Sequence, residues 1–318
     1  MAKRTLVTGG AGFIGSHLCE ALLKKGLEVI CVDNLVTGSE RNIKHLSKNK
    51  NFKFLRQDVT KDLDLNLDLD YLFHLASPAS PYDFKKLAEE IALVNSVGTT
   101  NMLNLARKIG ARFLLGSTSE VYGNPRQHPQ KETYFGNVNS FGPRSCYDEA
   151  KRFGEAMTYI YIQKYGLDAR VIRIFNTYGP RMRRDDGRAV SNFVNQAISG
   201  KPITVHGKGI QTRSFCFVDD MVEGLMKAMF SEKTGGVVIN LGNPEEYNIL
   251  DLAEKIKKMT GSKSKIIFGA LPTDDPQQRR PDISKAKKLL GWEPKVPIEE
   301  GISRLVSWFK NNRLKNNF

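Results

Sequence analysis

The chain has 318 residues, 40% of them hydrophobic and 26% charged, and this ordinary globular composition excludes a disordered protein. The formal net charge of +14 would suit nucleic acid or an anionic small substrate, but the Lys and Arg residues are scattered along predicted helices, so we expect no nucleic-acid partner. No apolar run approaches the roughly 18 residues that span a bilayer, and the four cysteines form no C-x-x-C pair. We therefore expect a cytoplasmic protein with reduced thiols, no membrane partner and no metal site.

The first half of the chain alternates short β-rich runs with longer helical patterns, which is typical of βαβ units and a parallel sheet. The predicted strands are Arg4–Thr8, Glu28–Asp33, Phe52–Asp58, Tyr71–Leu75, Arg112–Ser117 and Ala169–Phe175. The predicted helices between them are Ile14–Lys25, Phe84–Lys108 and Arg144–Tyr165. This pattern predicts an α/β fold with a Rossmann-type doubly wound parallel sheet.

After Phe175 the regular alternation stops, and Gly, Arg and turn residues become more frequent. The later predicted elements are a helix near Ser191–Ile198, a strand at Ile203–His206, a helix at Asp219–Phe230 and a strand at Val237–Leu241. Residues 243–318 follow as a helix, a strand, a Pro-rich loop and two helices. We predict a cofactor-binding Rossmann domain from residues 1–176 and 214–242, and a smaller C-terminal substrate-binding lobe from residues 177–213 and 243–318.

A glycine-rich loop, Gly9–Gly15, follows the first predicted strand and precedes an amphipathic helix. Its glycines allow a tight turn, close approach of the backbone N–H groups to a pyrophosphate and close packing of the helix, whose N-terminus stabilises phosphate charge. Asp33 ends the second strand, where its carboxylate can accept hydrogen bonds from ribose hydroxyls and would repel a 2′-phosphate. The loop and Asp33 therefore predict NAD rather than NADP, and Asp58 and Val59 either contact the adenine or simply end the third strand.

Tyr147 and Lys151 are four residues apart on a predicted helix and therefore project from one face. A phenol is a poor base because its reference pKa is about 10, but a nearby ammonium group and an oxidised nicotinamide favour the phenolate. Thr118 follows the fifth strand and can hydrogen-bond the same substrate oxygen as Tyr147. Glu120 directs a carboxylate at the substrate position, unless it is a capping or salt-bridged glutamate.

The predicted cofactor-binding residues are Gly9, Gly12, Phe13, Ile14, Gly15, Asp33, Asn34, Gly38, Asp58, Val59, Leu75, Ser77, Tyr147 and Lys151.

Six stretches of the chain carry a resemblance to a known family. They are Ser77–Pro81, Ser117–Gly123, Gly142–Lys151, Arg173–Met182, Gln211–Phe215 and Asp274–Ile283. Together they resemble the UDP-glucuronic acid decarboxylase (UDP-xylose synthase) family of the extended short-chain dehydrogenases/reductases, and the match runs from the first strand to about Gly301.

The resemblance implies a redox-neutral cycle on one tightly held NAD. Tyr147 would deprotonate the sugar 4-hydroxyl while hydride passes to NAD, the 4-keto uronate would lose carbon dioxide, and the hydride would return. Thr118 and Tyr147 would flank the 4-oxygen, Glu120 would handle protons near the departing carboxylate, and Arg279 would lie beside that carboxylate. The resemblance also implies a homodimer formed through helices Phe84–Lys108 and Arg144–Tyr165. The residues implied to line the UDP in the smaller lobe are Asn176, Arg181, Ser191, Gln211 and Arg213, together with Arg279 as a substrate contact.

The chain departs from the family between Pro81 and Asn95, where the loop is shorter and Leu93 replaces a substrate-contacting lysine. Residue chemistry alone leaves two alternatives open, that Arg213 is a surface arginine and that Asn176 is a turn residue. A 4,6-dehydratase typically carries an aspartate at the position of Ser119, which argues against that reaction here. A 4-epimerase usually has no carboxylate at position 120, so Glu120 argues against an epimerase as well. The substrates of both enzymes are expected to lack the carboxylate that Arg279 would serve. A non-catalytic NAD-binding Rossmann sensor would tend to lose the Tyr–Lys pair.

Overall fold

The computed structural model describes residues 2–63 and 68–313. The strands in this part of the chain are β1 (Arg4–Thr8), β2 (Glu28–Asp33), β3 (Phe52–Arg56), β4 (Tyr71–His74), β5 (Arg112–Thr118), β6 (Ala169–Ile174), β7 (Thr177–Tyr178), β8 (Ile203–His206), β9 (Thr212–Ser214), β10 (Cys216–Phe217), β11 (Val238–Leu241), β12 (Glu246–Asn248), β13 (Ile266–Gly269) and β14 (Gln278–Arg279). The α-helices are α1 (Phe13–Lys24), α2 (Ala88–Leu93), α3 (Thr99–Ile109), α4 (Ser145–Tyr165), α5 (Ala189–Ile198), α6 (Val218–Phe230), α7 (Ile249–Thr260), α8 (Ser284–Leu290) and α9 (Ile298–Arg313).

Seven parallel strands form the central sheet in the order β11-β6-β5-β4-β1-β2-β3. The inner strands β1 and β5 are almost entirely buried, as expected for strands covered on both faces. One apolar cluster packs α1, α5, α6, α7 and α9 on one side of the sheet, and a second packs α3 and α4 on the other. The predicted α/β doubly wound fold is therefore confirmed. The strand order reverses between β1 and β4, so ligands are expected beyond the carboxyl ends of these strands.

The single helix predicted over Phe84–Lys108 is wrong. Its first residues form turns, α2 begins only at Ala88, and a π-helical segment, residues 94–98, separates α2 from α3. The side chain of Asn95 supplies a reason, because its Nδ2 donates to the Ile91 carbonyl at 2.8 Å and so competes with the regular i to i−4 backbone bond. A second bond, 2.9 Å long, joins the same Nδ2 to Ser77 Oγ beyond β4.

Several very short strands were not predicted from the sequence. β9 pairs antiparallel with β12 and parallel with β14, which places Arg213 and Arg279 opposite each other. β7 pairs with β10, while the longer β8, which was predicted, pairs with β13. Strands of two or three residues are too short to show a period, and their partners lie far away in the sequence. None of the helices in residues 2–63 and 68–313 is long and apolar enough to cross a membrane.

Candidate active site

A cavity of about 1450 Å³ opens at the carboxyl edge of the central sheet. Its wall includes residues that follow β1, β2, β3, β4, β5 and β6, together with residues of α4 and α5. All the predicted cofactor-binding residues lie in this wall, and so do Thr118, Glu120, Asn176, Arg181, Gln211 and Arg213. The fold thus gathers into one space side chains that are separated by up to two hundred positions in the sequence.

The glycine loop leaves no room for side chains. Gly9 has a φ of +69°, and a Cβ at Gly15 would overlap the carbonyl oxygen of Gly9. Because α1 begins at Phe13, within the Gly9–Gly15 stretch, the unpaired N–H groups of its first turn lie at the cavity wall. A backbone cradle that excludes side chains beside a helix N-terminus fits the pyrophosphate of a dinucleotide.

Asp33 closes the other side of this cradle at the end of β2. Its two oxygens accept hydrogen bonds from the backbone N–H groups of Ala11 at 3.0 Å and Leu35 at 2.8 Å, which fix the carboxylate at the loop. Burial raises the pKa of Asp33 and these bonds oppose the rise. Gly38 packs against this carboxylate, and a Cβ at Gly38 would lie only 2.7 Å from Asp33 Oδ1.

Asn34 and Asp58 extend the same wall from β2 to β3. Nδ2 of Asn34 donates to Asp58 Oδ2 at 3.1 Å, and both the N–H and the hydroxyl of Thr60 donate to Asp58 Oδ1. Burial alone would raise the pKa of Asp58, but these hydrogen bonds outweigh it and lower the pKa. The carboxylate therefore stays ionised where the predicted adenosine half of the cofactor would lie.

Tyr147 and Lys151 lie one turn apart on α4 and are both buried. The Lys151 ammonium donates to the Gly116 carbonyl at 2.7 Å and lies 5.9 Å from the centre of the Tyr147 ring. Burial raises the pKa of Tyr147 to about 12, although a hydrogen bond with Thr118 opposes the rise, and burial lowers the pKa of Lys151 to about 8. In the chain by itself Tyr147 is thus a neutral phenol, and Lys151 titrates close to neutral pH.

Glu120 lies in a short 3₁₀ turn after β5, between two arginines. Oε1 accepts a hydrogen bond from Arg279 Nη1 at 2.6 Å, and Oε2 accepts one from Arg144 Nη2. Burial alone would raise the pKa of Glu120, but Arg279, Arg144 and Arg213 together lower it to about 2. The salt-bridged alternative and the position at the cavity wall therefore hold at the same time for this residue.

Two predicted substrate residues do not reach the cavity wall. Ser191 is fully buried in α5, and its hydroxyl donates to the Arg188 carbonyl at 3.0 Å. Arg279 is 1% exposed and lies behind Glu120, where Nη2 donates to the Gly123 carbonyl at 2.7 Å. The expectation of a substrate contact at these two positions stays a prediction.

The remaining predicted substrate residues line the cavity, and three of them are held by ion pairs or hydrogen bonds within the chain. Arg213 is 13% exposed and pairs with Asp275 at 2.9 Å, so it is not an ordinary surface arginine. Arg181, at a φ of +67°, pairs with Glu20 of α1, and Gln211 donates to the His206 carbonyl at 2.8 Å. Asn176 and Leu93, the position of the missing lysine, also lie in the wall.

Sequence reasoning missed several cations in the wall, among them Arg144 and Arg188. Arg188 forms a two-point ion pair with the buried Asp186 and lies close enough to Tyr147 to lower its pKa. Arg144 is the residue directly before α4, and it contacts Glu120. Arg144 belongs to the Gly142–Lys151 stretch, which carried the resemblance, so the signal was present. Its contact with Glu120 joins residues 24 positions apart and is not visible in the sequence.

The glycine loop after β1, the Tyr–Lys pair on α4 and the doubly wound sheet define a class, the extended short-chain dehydrogenases/reductases. The family model named GDP-mannose 4,6 dehydratase matches residues 6–305, and the chain belongs to this family, within the branch of the UDP-glucuronic acid decarboxylases.

UDP-glucuronic acid decarboxylase 1 of Danio rerio is 52% identical over 307 residues, which cover 96% of this chain and 72% of the relative. The enzyme of the same name from Arabidopsis thaliana is 52% identical over 311 residues, covering 98% and 71%. Among solved structures, UDP-glucuronic acid 4-epimerase from Bacillus cereus, in complex with UDP-glucuronic acid and NAD, has a TM-score of 0.88 at 32% identity. That likeness covers 97% of this chain and 99% of the epimerase. The predicted family resemblance is confirmed.

Proposed function

We propose that this chain is an NAD-dependent decarboxylase that converts UDP-glucuronate to UDP-xylose through a 4-keto intermediate. The observation that carries the proposal is the Glu120 carboxylate, held between two arginines in the same cavity as the Tyr147–Lys151 pair. The names of the relatives that are about half identical over nearly the whole chain support the same activity.

The glycine loop, Asp33 and Asn34 would hold NAD, which accepts a hydride from the sugar and later returns it. The fit rests on the cradle at Gly15, which a Cβ would fill, and on the α1 N-terminus at Phe13. Asp33, fixed by two backbone N–H groups, would meet the ribose hydroxyls and disfavour a 2′-phosphate.

Tyr147 would move the proton of the sugar 4-hydroxyl. Its hydroxyl shares a hydrogen bond with Thr118, so a substrate oxygen placed between them would contact both. Because Tyr147 is a neutral phenol in the chain alone, it needs nearby positive charge to become a base. Lys151, buried beside the ring, and Arg188, which lowers the pKa of Tyr147, provide such charge.

Oxidation at C4 places a ketone β to the uronate carboxylate. The bond between C5 and the carboxyl carbon can then break, carbon dioxide leaves, and the electron pair is delocalised onto the C4 oxygen beside Tyr147 and Thr118. C5 must afterwards gain a proton. Glu120 is ionised at neutral pH, so it begins the cycle as a proton acceptor. The carboxylate of the bound uronate beside it would raise its pKa, so that Glu120 would take up a proton from solvent before the cleavage and pass it to C5 afterwards.

The Bacillus cereus neighbour corrects one step of the sequence argument. Its name and ligand indicate a 4-epimerase for UDP-glucuronic acid, so not every epimerase substrate lacks a carboxylate. A cation for that carboxylate therefore does not by itself separate decarboxylation from epimerisation. Ser119, in place of the aspartate of a 4,6-dehydratase, still argues against that reaction.

The deciding experiment incubates the purified chain with NAD and UDP-glucuronate that is labelled at the carboxyl carbon. We expect labelled carbon dioxide and UDP-xylose in equal amounts, measured by gas trapping and by mass spectrometry of the sugar nucleotides. UDP-galacturonate without carbon dioxide would instead establish an epimerase. No turnover despite bound NAD would favour a sensor protein.

We further propose that the chain forms a cytoplasmic homodimer through α2, α3 and α4. These helices leave apolar side chains exposed: Val97, in the π-helical turn, is 41% exposed, and Phe153, Tyr159 and Ile160 of α4 are 44%, 65% and 45% exposed. The four free cysteines suit a reducing compartment. Sedimentation of wild type against Ile160→Glu tests the dimer, and a wild-type monomer at micromolar concentration would contradict it. The division into a Rossmann domain and a smaller substrate-binding lobe stays part of this proposal.

A further inference from the structure

Arg144 is the member of the arginine pair on Glu120 that faces the cavity. Its side chain is 13% exposed and belongs to the cavity wall. Nη2 donates to Glu120 Oε2, and Nε lies 3.5 Å from Asp148 Oδ2. Within residues 2–63 and 68–313, Nη1 of Arg144 donates no hydrogen bond. One edge of the guanidinium is therefore available to a ligand, and a planar fork of this kind suits a carboxylate.

Arg279, by contrast, lies behind Glu120 with both terminal nitrogens bonded, and only its buried Nε is without a hydrogen-bond partner among the described residues. Its Nη1 bonds to Ser119 Oγ at 3.0 Å and to Glu120 Oε1, and its Nη2 bonds to the Gly123 carbonyl. It is 1% exposed and absent from the cavity wall. In this conformation a ligand in the cavity therefore meets Arg144 and does not meet Arg279.

Asp148 follows Tyr147 in the first turn of α4 and lies four residues after Arg144. It is 4% exposed, and its Oδ1 has no hydrogen-bond partner in the described part of the chain. Burial and the Glu120 charge raise the pKa of Asp148 to about 7, while Arg144 and Arg279 oppose the rise. A buried carboxyl with one unpartnered oxygen is costly and calls for a reason. Its one ion pair in this region is the contact with Arg144.

The packing around Arg144 also restricts where it can point. The guanidinium lies over the ring of Phe84, 5.4 Å from its centre, and the same ring stacks on Tyr147 at 5.1 Å. With Phe84 on one face, Asp148 at Nε and Glu120 at Nη2, the remaining Nη1 edge is held in place beside the residues proposed to contact the sugar. Such a preorganised group loses little entropy when it binds.

We propose that Arg144 binds the carboxylate of the uronate substrate, that Asp148 positions Arg144 for this contact, and that Arg279 holds Glu120 from behind. The inference rests on the proposed function, because it requires a uronate. It assigns to Arg144 the carboxylate contact that the family resemblance gave to Arg279.

The first test compares Arg144→Gln with wild type in steady-state turnover of UDP-glucuronate and in binding of UDP. Loss of a charged hydrogen bond typically changes affinity by about 10- to 100-fold, so we expect the KM for UDP-glucuronate to rise by that factor. The Kd for UDP, which has no carboxylate, should stay within about twofold of wild type. Arg144→Lys keeps the charge but loses the fork, and should recover only part of the loss. Arg304→Gln, an exposed arginine of α9 outside the cavity wall, serves as the matched control.

A double-mutant cycle tests the positioning role of Asp148. Asp148→Asn alone should raise the KM for UDP-glucuronate less than Arg144→Gln does. If Asp148 acts through Arg144, the double variant will be no worse than Arg144→Gln alone, since the positioned group is already gone. Additive losses would overturn the positioning role.

Equal weakening of UDP and UDP-glucuronate by Arg144→Gln would overturn the carboxylate contact, and so would an unchanged KM. A crystal structure of Tyr147→Phe with UDP-glucuronate tests it without altering Arg144. We expect an Arg144 nitrogen about 3 Å from the carboxylate, and a carboxylate on Arg279 or Arg213 instead would refute the inference. Failure of the proposed function is distinct, because wild type would then release no carbon dioxide.

Discussion

Arg279→Ala tests how the buried arginine behind Glu120 contributes to both stability and turnover. The substitution removes an ion pair and the donors to Ser119 and Gly123 from a site that is 1% exposed. Breaking one side of a buried ion pair costs about 3–5 kcal/mol. With about 2.1 cal/mol/K of unfolding entropy per residue, a chain of this length should lose about 4–8 °C in Tm.

Turnover should fall together with Tm. Without Arg279, Glu120 keeps the ion pair with Arg144 and a long hydrogen bond from Ser119 Oγ, 3.4 Å, but loses the bond that fixes its Oε1 from the other side. A positioned acid–base group contributes about 10²- to 10⁴-fold, so we expect UDP-xylose formation to drop by about 10²-fold or more.

The assay measures Tm by differential scanning fluorimetry at saturating NAD, and initial rates of carbon dioxide release from UDP-glucuronate. Arg280→Ala, at the next residue and outside the cavity wall, is the control and should change Tm and the rate far less. A Tm of Arg279→Ala within about 2 °C of wild type would refute the buried ion pair, since that shift corresponds to little more than 1 kcal/mol. A rate within about threefold of wild type would refute the role given to Arg279 in holding Glu120.

Three further outcomes follow from the same site. NAD should remain bound through purification because the proposed cycle regenerates it, and a predominance of NADP in the denatured supernatant would contradict the role of Asp33. Tyr147→Phe should keep normal NAD content and Tm but lose about 10²- to 10⁴-fold in kcat, because only the proton-transferring oxygen is removed; a kcat like that of wild type would rule out the assignment. Gly15→Ala should purify with little NAD, since its Cβ would overlap the Gly9 carbonyl, whereas Gly235→Ala, whose nearest atom lies 3.3 Å away, should retain it. Full NAD content in Gly15→Ala, measured by absorbance after denaturation, would disprove the tight cradle.

The central sheet was predictable because its signals are local. The bounds of β1, β2 and β8 agree with those read from the sequence, and α1 and α4 begin within one residue of the prediction. Short apolar runs, glycine turns and helical periods each depend on neighbouring residues only. The interruption between α2 and α3 was missed because Asn95, whose side chain bonds to the Ile91 carbonyl, is also bonded to Ser77 in the loop after β4. No period in the helix itself reveals that contact.

The candidate site was predictable in its composition and less so in its arrangement. Motifs identified Glu120, Tyr147 and Arg279, but not which arginine faces the cavity. That depends on β14 lying beside β9, which buries Arg279, and on α4 starting at Ser145, which brings Arg144 to Glu120. Both arrangements depend on contacts between segments that are far apart in the sequence. Local patterns in a single sequence do not predict such contacts.

Helix α4 carries Arg144 at its start and Asp148, Tyr147 and Lys151 in its first two turns, whereas Arg213 and Arg279 lie on the small sheet of β9, β12 and β14. A helix is stiff over two turns, so the distances among the first group are nearly constant. Any hinge motion between the helix and the small sheet would instead stretch the contact from Glu120 to Arg279. Opening of the cleft to release a product would then weaken the contact of Arg279 with Glu120 and leave the geometry of Tyr147 and Lys151 unchanged. Substitutions in the small sheet should accordingly change the rate of product release more readily than the rate of sugar oxidation. The two rates could then be altered by separate sets of substitutions.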